Sequence, residues 1–297
     1  MGRIAQKILH SFEKSRSMEV VDFGAHLAAK KRSDEYQSHL HTMELLLQRG
    51  FDPLHAQYIA AQNLVSLLCE ELTMLPVLKP FVRIVSEAET LYMPDGPPFS
   101  PLTRSYFTCW AFFDLLFGRD RESIAGCIQE LGHDLAIDTQ FLAVIRLLQA
   151  SRMGIYEHAG VADSEVLLRD IVDGRSCYCY VPTGYLGKKD QLWYVRLLPP
   201  LPGYAYHLAF TTPYVLMSSK EEWQGFLQRT IPLLKAPPRP RPVSEAMYDL
   251  LKHGLAPHYW LEYISLAYVG AQDNAIFLSG IPDQMESLPN ARQETLQ

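Results

Sequence analysis

The stretch that most limits how this chain can fold is Gln191–Met217, QLWYVRLLPPLPGYAYHLAFTTPYVLM. From Leu197 to Ser219 it carries no Asp, Glu, Lys or Arg, yet Pro199, Pro200, Pro202 and Pro213 interrupt it. A membrane helix needs about 20 apolar residues in unbroken helical geometry. Proline inside a helix removes a hydrogen bond and clashes with the preceding turn. The run therefore reads as short strands buried on both faces, with prolines at their ends. Along Gln191–Leu198, the face bearing Leu192, Tyr194, Arg196 and Leu198 is about as apolar as the face bearing Trp193, Val195 and Leu197. Helices are thus expected to pack on this sheet. Arg196 is the one charge near the apolar middle, so burial demands a partner. Asp170 or Asp173 on a neighbouring strand is the expected one.

The same periodicity extends upstream. RMGIYEH, EVLLRDIV, SCYCYVP, QLWYVRLLPP and YAYHLAFTT are short, rich in Val, Tyr, Cys and Ile, and bounded by Gly, Asp and Pro. Asp173-Gly174 between two of them signals a hairpin. About five antiparallel strands between Gly154 and Met217 suit a curled sheet or partly open barrel.

Helical patterns flank this module. Ile4, Ile8, Leu9 and Phe12 share one face. Further helices are expected over Val20–Lys31 and Asp34–Gln48, with Gly50 ending the latter. Asp52-Pro53 opens a long one over Leu54–Leu75. Helix resumes over Val82–Leu91, and YMPDGPPFSPL (92–102) reads as a loop or hinge. Thr103–Phe117 is apolar all round, Asp120–Leu131 follows, and Asp138 can cap the next helix, which runs to about Ala150. Beyond the strands, Ser219 and Glu222 form a capping box for a helix to about Leu234. APPRPRP (236–242) reads as a polyproline spacer, followed by helices over Ser244–His253 and Pro257–Tyr268. The expected fold is α+β: a helical bundle (1–152), a small antiparallel β module (153–218), C-terminal helices packing back (219–281) and a flexible tail (282–297).

Composition narrows the function classes. With 48% hydrophobic and 20% charged residues, the chain can bury a core. Its formal net charge of −6 gives no broad basic field for nucleic acid or an anionic membrane. Five cysteines, an odd number set mostly in apolar runs, read as free thiols of a cytoplasmic protein. No cofactor motif or metal-ligand spacing is present. Cys177 and Cys179 point to one face of a strand but lack two further ligands for zinc. His133-Asp134 follows a helix-ending glycine; a metal-dependent hydrolase using this pair is one alternative function, and it would need more ligands. Lys188 and Lys189, after Gly184 and Gly187, lack the spacing of a phosphate loop. They leave weak nucleic-acid binding as an alternative. The positive signal is aromatic: Tyr178, Tyr180, Tyr185, Trp193, Tyr194, Tyr204, Tyr206 and Tyr214 crowd a module too small to enclose them all. The expected function is a non-enzymatic protein-interaction or regulatory role, with Tyr185, Lys188, Lys189, Trp193, Arg196 and Tyr206 as candidate binding residues and another protein as partner.

Overall fold

A computed structural model of the chain describes residues 1–17, 43–94, 100–134, 137–234 and 241–287. The expected helix Val20–Lys31, most of Asp34–Gln48, the middle of the 92–102 hinge, most of the proline spacer and residues 288–297 fall outside this set. The chain divides into two compact units, Met1–Val85 with Ala111–Ala150, and Ser86–Trp110 with Ser151–Gln297.

The first unit is helical. It contains α1 (Arg3–Ser17), α2 (Pro53–Thr73), the start of α3 (Lys79–Tyr92), α5 (Ile124–Glu130) and α6 (Thr139–Ala150). The caps follow the sequence. The Asp52 side chain accepts from the His55 N–H at 3.0 Å, with Pro53 in the first turn. Asp138 Oδ1 accepts from the Gln140 N–H at 2.8 Å. The first turn of α1 is held from outside itself, because Glu122 accepts from the N–H groups of Ile4 and Ala5 at 2.9 and 3.1 Å. Those groups have no intrahelical acceptor, and a carboxylate suits the positive end of the helix. Ile8, Leu54, Tyr58, Val65, Ile124, Ile128, Ile145 and Leu148 form the core.

Thr103–Phe117, expected as one helix, is two pieces. The helix α4 (Arg104–Cys109) gives way to a wider π-helical turn over Trp110–Asp114, and Phe117 then bridges to Glu122 in extended backbone.

Among the described residues the second unit is built on eight strands: β1 (Met153–Ala162), β2 (Glu165–Asp170), β3 (Ser176–Tyr180), β4 (Leu192–Leu198), β5 (His207–Ala209), β6 (Tyr214–Leu216), β7 (Tyr268–Gln272) and β8 (Ala275–Leu278). The sheet order is β1-β2-β3-β5-β4-β6-β8-β7, and β1 also pairs with β4, which closes a five-stranded barrel. One edge of β4 pairs with β1. Its other edge is shared, Leu197 and Leu198 taking β5 while Leu192–Tyr194 take β6. The barrel interior is apolar, with Val166, Leu168, Cys179, Val181, Trp193, Val195, Leu197 and Val215.

Two sequence expectations need correction. The module is not wholly antiparallel, since β3–β5 and β6–β8 are parallel pairs. Parallel neighbours need a long connection, and β8 has one through the helices α7 (Lys220–Thr230), α8 (Val243–His253) and α9 (Tyr259–Ala267). The segment 219–281 is also not only helical: β7 and β8 form a hairpin on the sheet, turning at Asp273 and Asn274 with φ of 48° and 63°.

Both faces of β4 are covered, as its apolar alternation requires, and all seven of its residues are buried. Tyr194 packs outward against α4 and α9, Tyr214 packs against α4, and α7 packs in turn on α9. The Tyr194 ring lies 5.2 Å from Trp260 and 6.4 Å from Tyr106, and Phe226 lies 6.3 Å from Trp260. Each such aromatic, fully buried, contributes on the order of 1.5–3 kcal/mol. The capping box at Ser219 and Glu222 starts α7 as expected.

Candidate functional site

The six candidate residues separate into different environments. Tyr185, Trp193 and Arg196 are buried, at 9%, 0% and 0% exposure. Lys188 and Lys189 are exposed in the β3–β4 loop, and Tyr206 is half-buried.

Arg196 does not use the acids expected for it. Its Nη1 donates to the Ser151 carbonyl at 3.2 Å and to Ser151 Oγ at 2.8 Å. Asp170 instead takes Arg152, whose Nη2 lies 2.6 Å from Oδ2, and accepts the Val172 N–H at 2.8 Å. Asp173 accepts from the Tyr248 hydroxyl and from the Arg175 N–H. The cause is register: Arg196 pairs with Met153 at the start of β1, whereas Asp170 pairs with Tyr156 farther along that strand. The guanidinium of Arg152 also lies 3.9 Å over the Tyr248 ring, a cation–π contact that joins α8 to this end of the barrel.

The lysine loop is organised by a residue the sequence did not mark. Gln191 Oε1 accepts from the Tyr185 hydroxyl at 3.1 Å, the Lys188 N–H at 2.9 Å and Trp193 Nε1 at 3.3 Å. Tyr185 stacks on Trp193 at 5.3 Å, so both rings fix the loop from inside. His158, 1% exposed, donates through Nε2 to the Leu186 carbonyl at 2.8 Å. Lys188 lines an open cleft of about 440 Å³ that Asp273 also lines. An anion entering it meets a carboxylate as well as the lysine.

The outer face of β3 is different. Strand alternation sends Cys177 and Cys179 toward the interior and Ser176, Tyr178 and Tyr180 outward. Tyr178 is 46% exposed. Opposite these residues on β2 stand Arg169, Leu167 and Glu165. The proline-rich β4–β5 connection adds Tyr204 and Tyr206, both half-buried. Tyr180 and Tyr206 have ring centroids 6.2 Å apart, and Tyr204 and Tyr206 5.9 Å apart. The four tyrosines form one aromatic surface on β3 and its adjoining loop. Tyr206 is the only one of the six candidates on it. Period-two alternation within SCYCYVP was the signal for Tyr178 and Tyr180.

His133 and Asp134 are exposed in the turn after α5. Among the described residues no group of three or more His, Cys, Asp or Glu side chains is placed to hold a metal ion, and no helix is long and apolar enough to cross a membrane. No family model matches the chain, and neither does any curated protein or solved structure.

Proposed function

We propose that the barrel is a protein-recognition module that holds an extended, proline-rich peptide on its tyrosine face. The observation that carries the reading is the run of Tyr178, Tyr180, Tyr204 and Tyr206 on the outside of β3 and the β4–β5 loop. Tyrosine offers a broad apolar ring and a hydroxyl at a cost of only two side-chain torsions. Grooves lined by such rings receive polyproline segments, which are already extended. The proposed role is binding, with no bond made or broken.

Five-stranded barrels commonly take oligonucleotides or oligosaccharides on the strand 2–3 face and the loops beside it. That is an analogy of architecture, and charge argues against the nucleic-acid version. Arg169 and Arg175 near this face are balanced by Glu165 and Asp173, whereas nucleic-acid sites are clearly basic.

A proline-rich peptide array, with a single-stranded oligothymidine as comparator, tests the proposal on the full chain. Wild type should bind a subset of peptides, and Tyr178→Ser/Tyr206→Ser should weaken that binding roughly tenfold or more at unchanged thermal stability. Absence of peptide binding, equal binding by the double variant, or a preference for the oligonucleotide that fades with salt would each sink it.

A further inference from the structure

The tyrosine face uses only the outward half of β3. The inward half holds Cys177 and Cys179, whose sulfurs lie 3.6 Å apart. Their environments are unequal. Cys179 is fully buried in the barrel core, opposite Val166, while Cys177 is half-buried near the strand end, opposite Leu168. The Cys179 thiol can donate to the Cys177 carbonyl at 3.7 Å, and a hydrogen bond in which either sulfur can be the donor joins the two thiols. That bond outweighs burial and the nearby Asp170 and Asp173 carboxylates, and it holds the Cys177 thiol below its ordinary range. The same bond, reinforced by burial, raises Cys179 well above it. Cys69 and Cys127 differ from this pair: burial is the main reason Cys127 is pushed up to about 12 and Cys69 is raised.

We propose that Cys177 and Cys179 are a redox-active dithiol that exchanges with small organic disulfides, Cys177 attacking and Cys179 resolving. The Cys177 thiolate attacks one sulfur of RS–SR, the S–S bond breaks, and one RS⁻ leaves and takes up a proton. The Cys179 thiol then gives up its proton and attacks the Cys177 sulfur of the mixed disulfide, expelling the second RS⁻. Two electrons pass from the protein dithiol to the small disulfide, and two RSH are released.

The geometry suits a labile bond. Residues two apart on a strand have Cα atoms about 6.6 Å apart, near the upper end of the span a disulfide tolerates. The sulfurs must close by about 1.5 Å to reach bonding distance. β3 has room to pucker, since β5 pairs only with Cys179 and Tyr180 and leaves Ser176–Tyr178 with β2 alone. Strained disulfides are the ones that are easily reduced again. The proposal is independent of what binds the tyrosine face.

The test equilibrates the full chain in buffers of reduced and oxidised glutathione, followed by alkylation and mass mapping. Wild type should lose the Cys177 and Cys179 thiols together and gain a bond within one peptide, while Cys69, Cys109 and Cys127 stay alkylatable after unfolding. Cys179→Ser should retain glutathione on Cys177, and Cys177→Ser should leave Cys179 reduced. In native protein Cys177 should alkylate at least about tenfold faster than Cys127. Both thiols surviving in fully oxidised buffer, or Cys179→Ser carrying no glutathione, would overturn the assignment.

Discussion

Two single residues show how local chemistry sets the barrel ends. Asp173 is partly buried, which alone would raise its carboxyl. Hydrogen bonds from Tyr248 and the Arg175 N–H, with the Arg175 charge, outweigh burial and hold it below its ordinary value. A carboxylate depressed in the folded state stabilises above its unfolded pKa of about 4, and that contribution is lost as pH falls through the folded value. Tyr248→Phe should therefore cost about 1 kcal/mol at neutral pH, and the gap to wild type should shrink as pH falls below about 4. Urea titrations at several pH values check both the size and the sign. A pH-independent gap would place the Tyr248 effect in packing. Gly187 has φ of +64°, and a Cβ there would come within 2.4 Å of the Trp193 ring. Gly187→Ala should cost roughly 2–5 kcal/mol from backbone strain and overpacking together. The expected readout is a lower melting temperature with loss of the Trp193 near-ultraviolet signal.

At the level of elements, signals confined to a few neighbouring residues were readable. Asp52-Pro53, Asp138 and the Ser219–Glu222 box start helices as their chemistry dictates. Ser219→Ala should cost about 1 kcal/mol and lower the melting temperature, and Ser219→Thr should restore most of it. The buried character of β4 was equally legible, because alternate positions on both faces are apolar. Signals that depend on distant partners were not. Nothing in Ala275–Leu278 says that it pairs in parallel with Tyr214–Leu216, and its Asp273-Asn274 turn is a weaker mark than Asp-Gly. The choice of Arg152 for Asp170 is a matter of register, which spacing along one strand does not reveal. On the tyrosine surface, Tyr178 and Tyr180 could be placed outward once β3 was a strand. Tyr204 and Tyr206 reach it only because β5 inserts between β3 and β4.

For the whole molecule, β4 is the strand on which the second unit depends. It pairs with β1 on one edge and with β5 and β6 on the other, under full burial. Its amides should be among the slowest in the unit to exchange with solvent, and their protection should report global unfolding. Native-state hydrogen exchange read by mass spectrometry checks this. Peptides from β4 exchanging as fast as those from β7, at the sheet edge, would show that the barrel opens independently.

The parallel pairing of β6 with β8 also has a consequence in time. During synthesis the chain grows from β6 to β8 through three helices, at about 5–20 residues per second. For that interval the edge of β6 that β8 will occupy has no strand of its own to receive it. A bare strand edge next to an apolar core is a template for pairing between chains. The nascent protein is thus most prone to self-association in the seconds before residues 275–278 emerge. A chain ending at Ala267 should keep that hazard permanently and accumulate as aggregate rather than as folded protein.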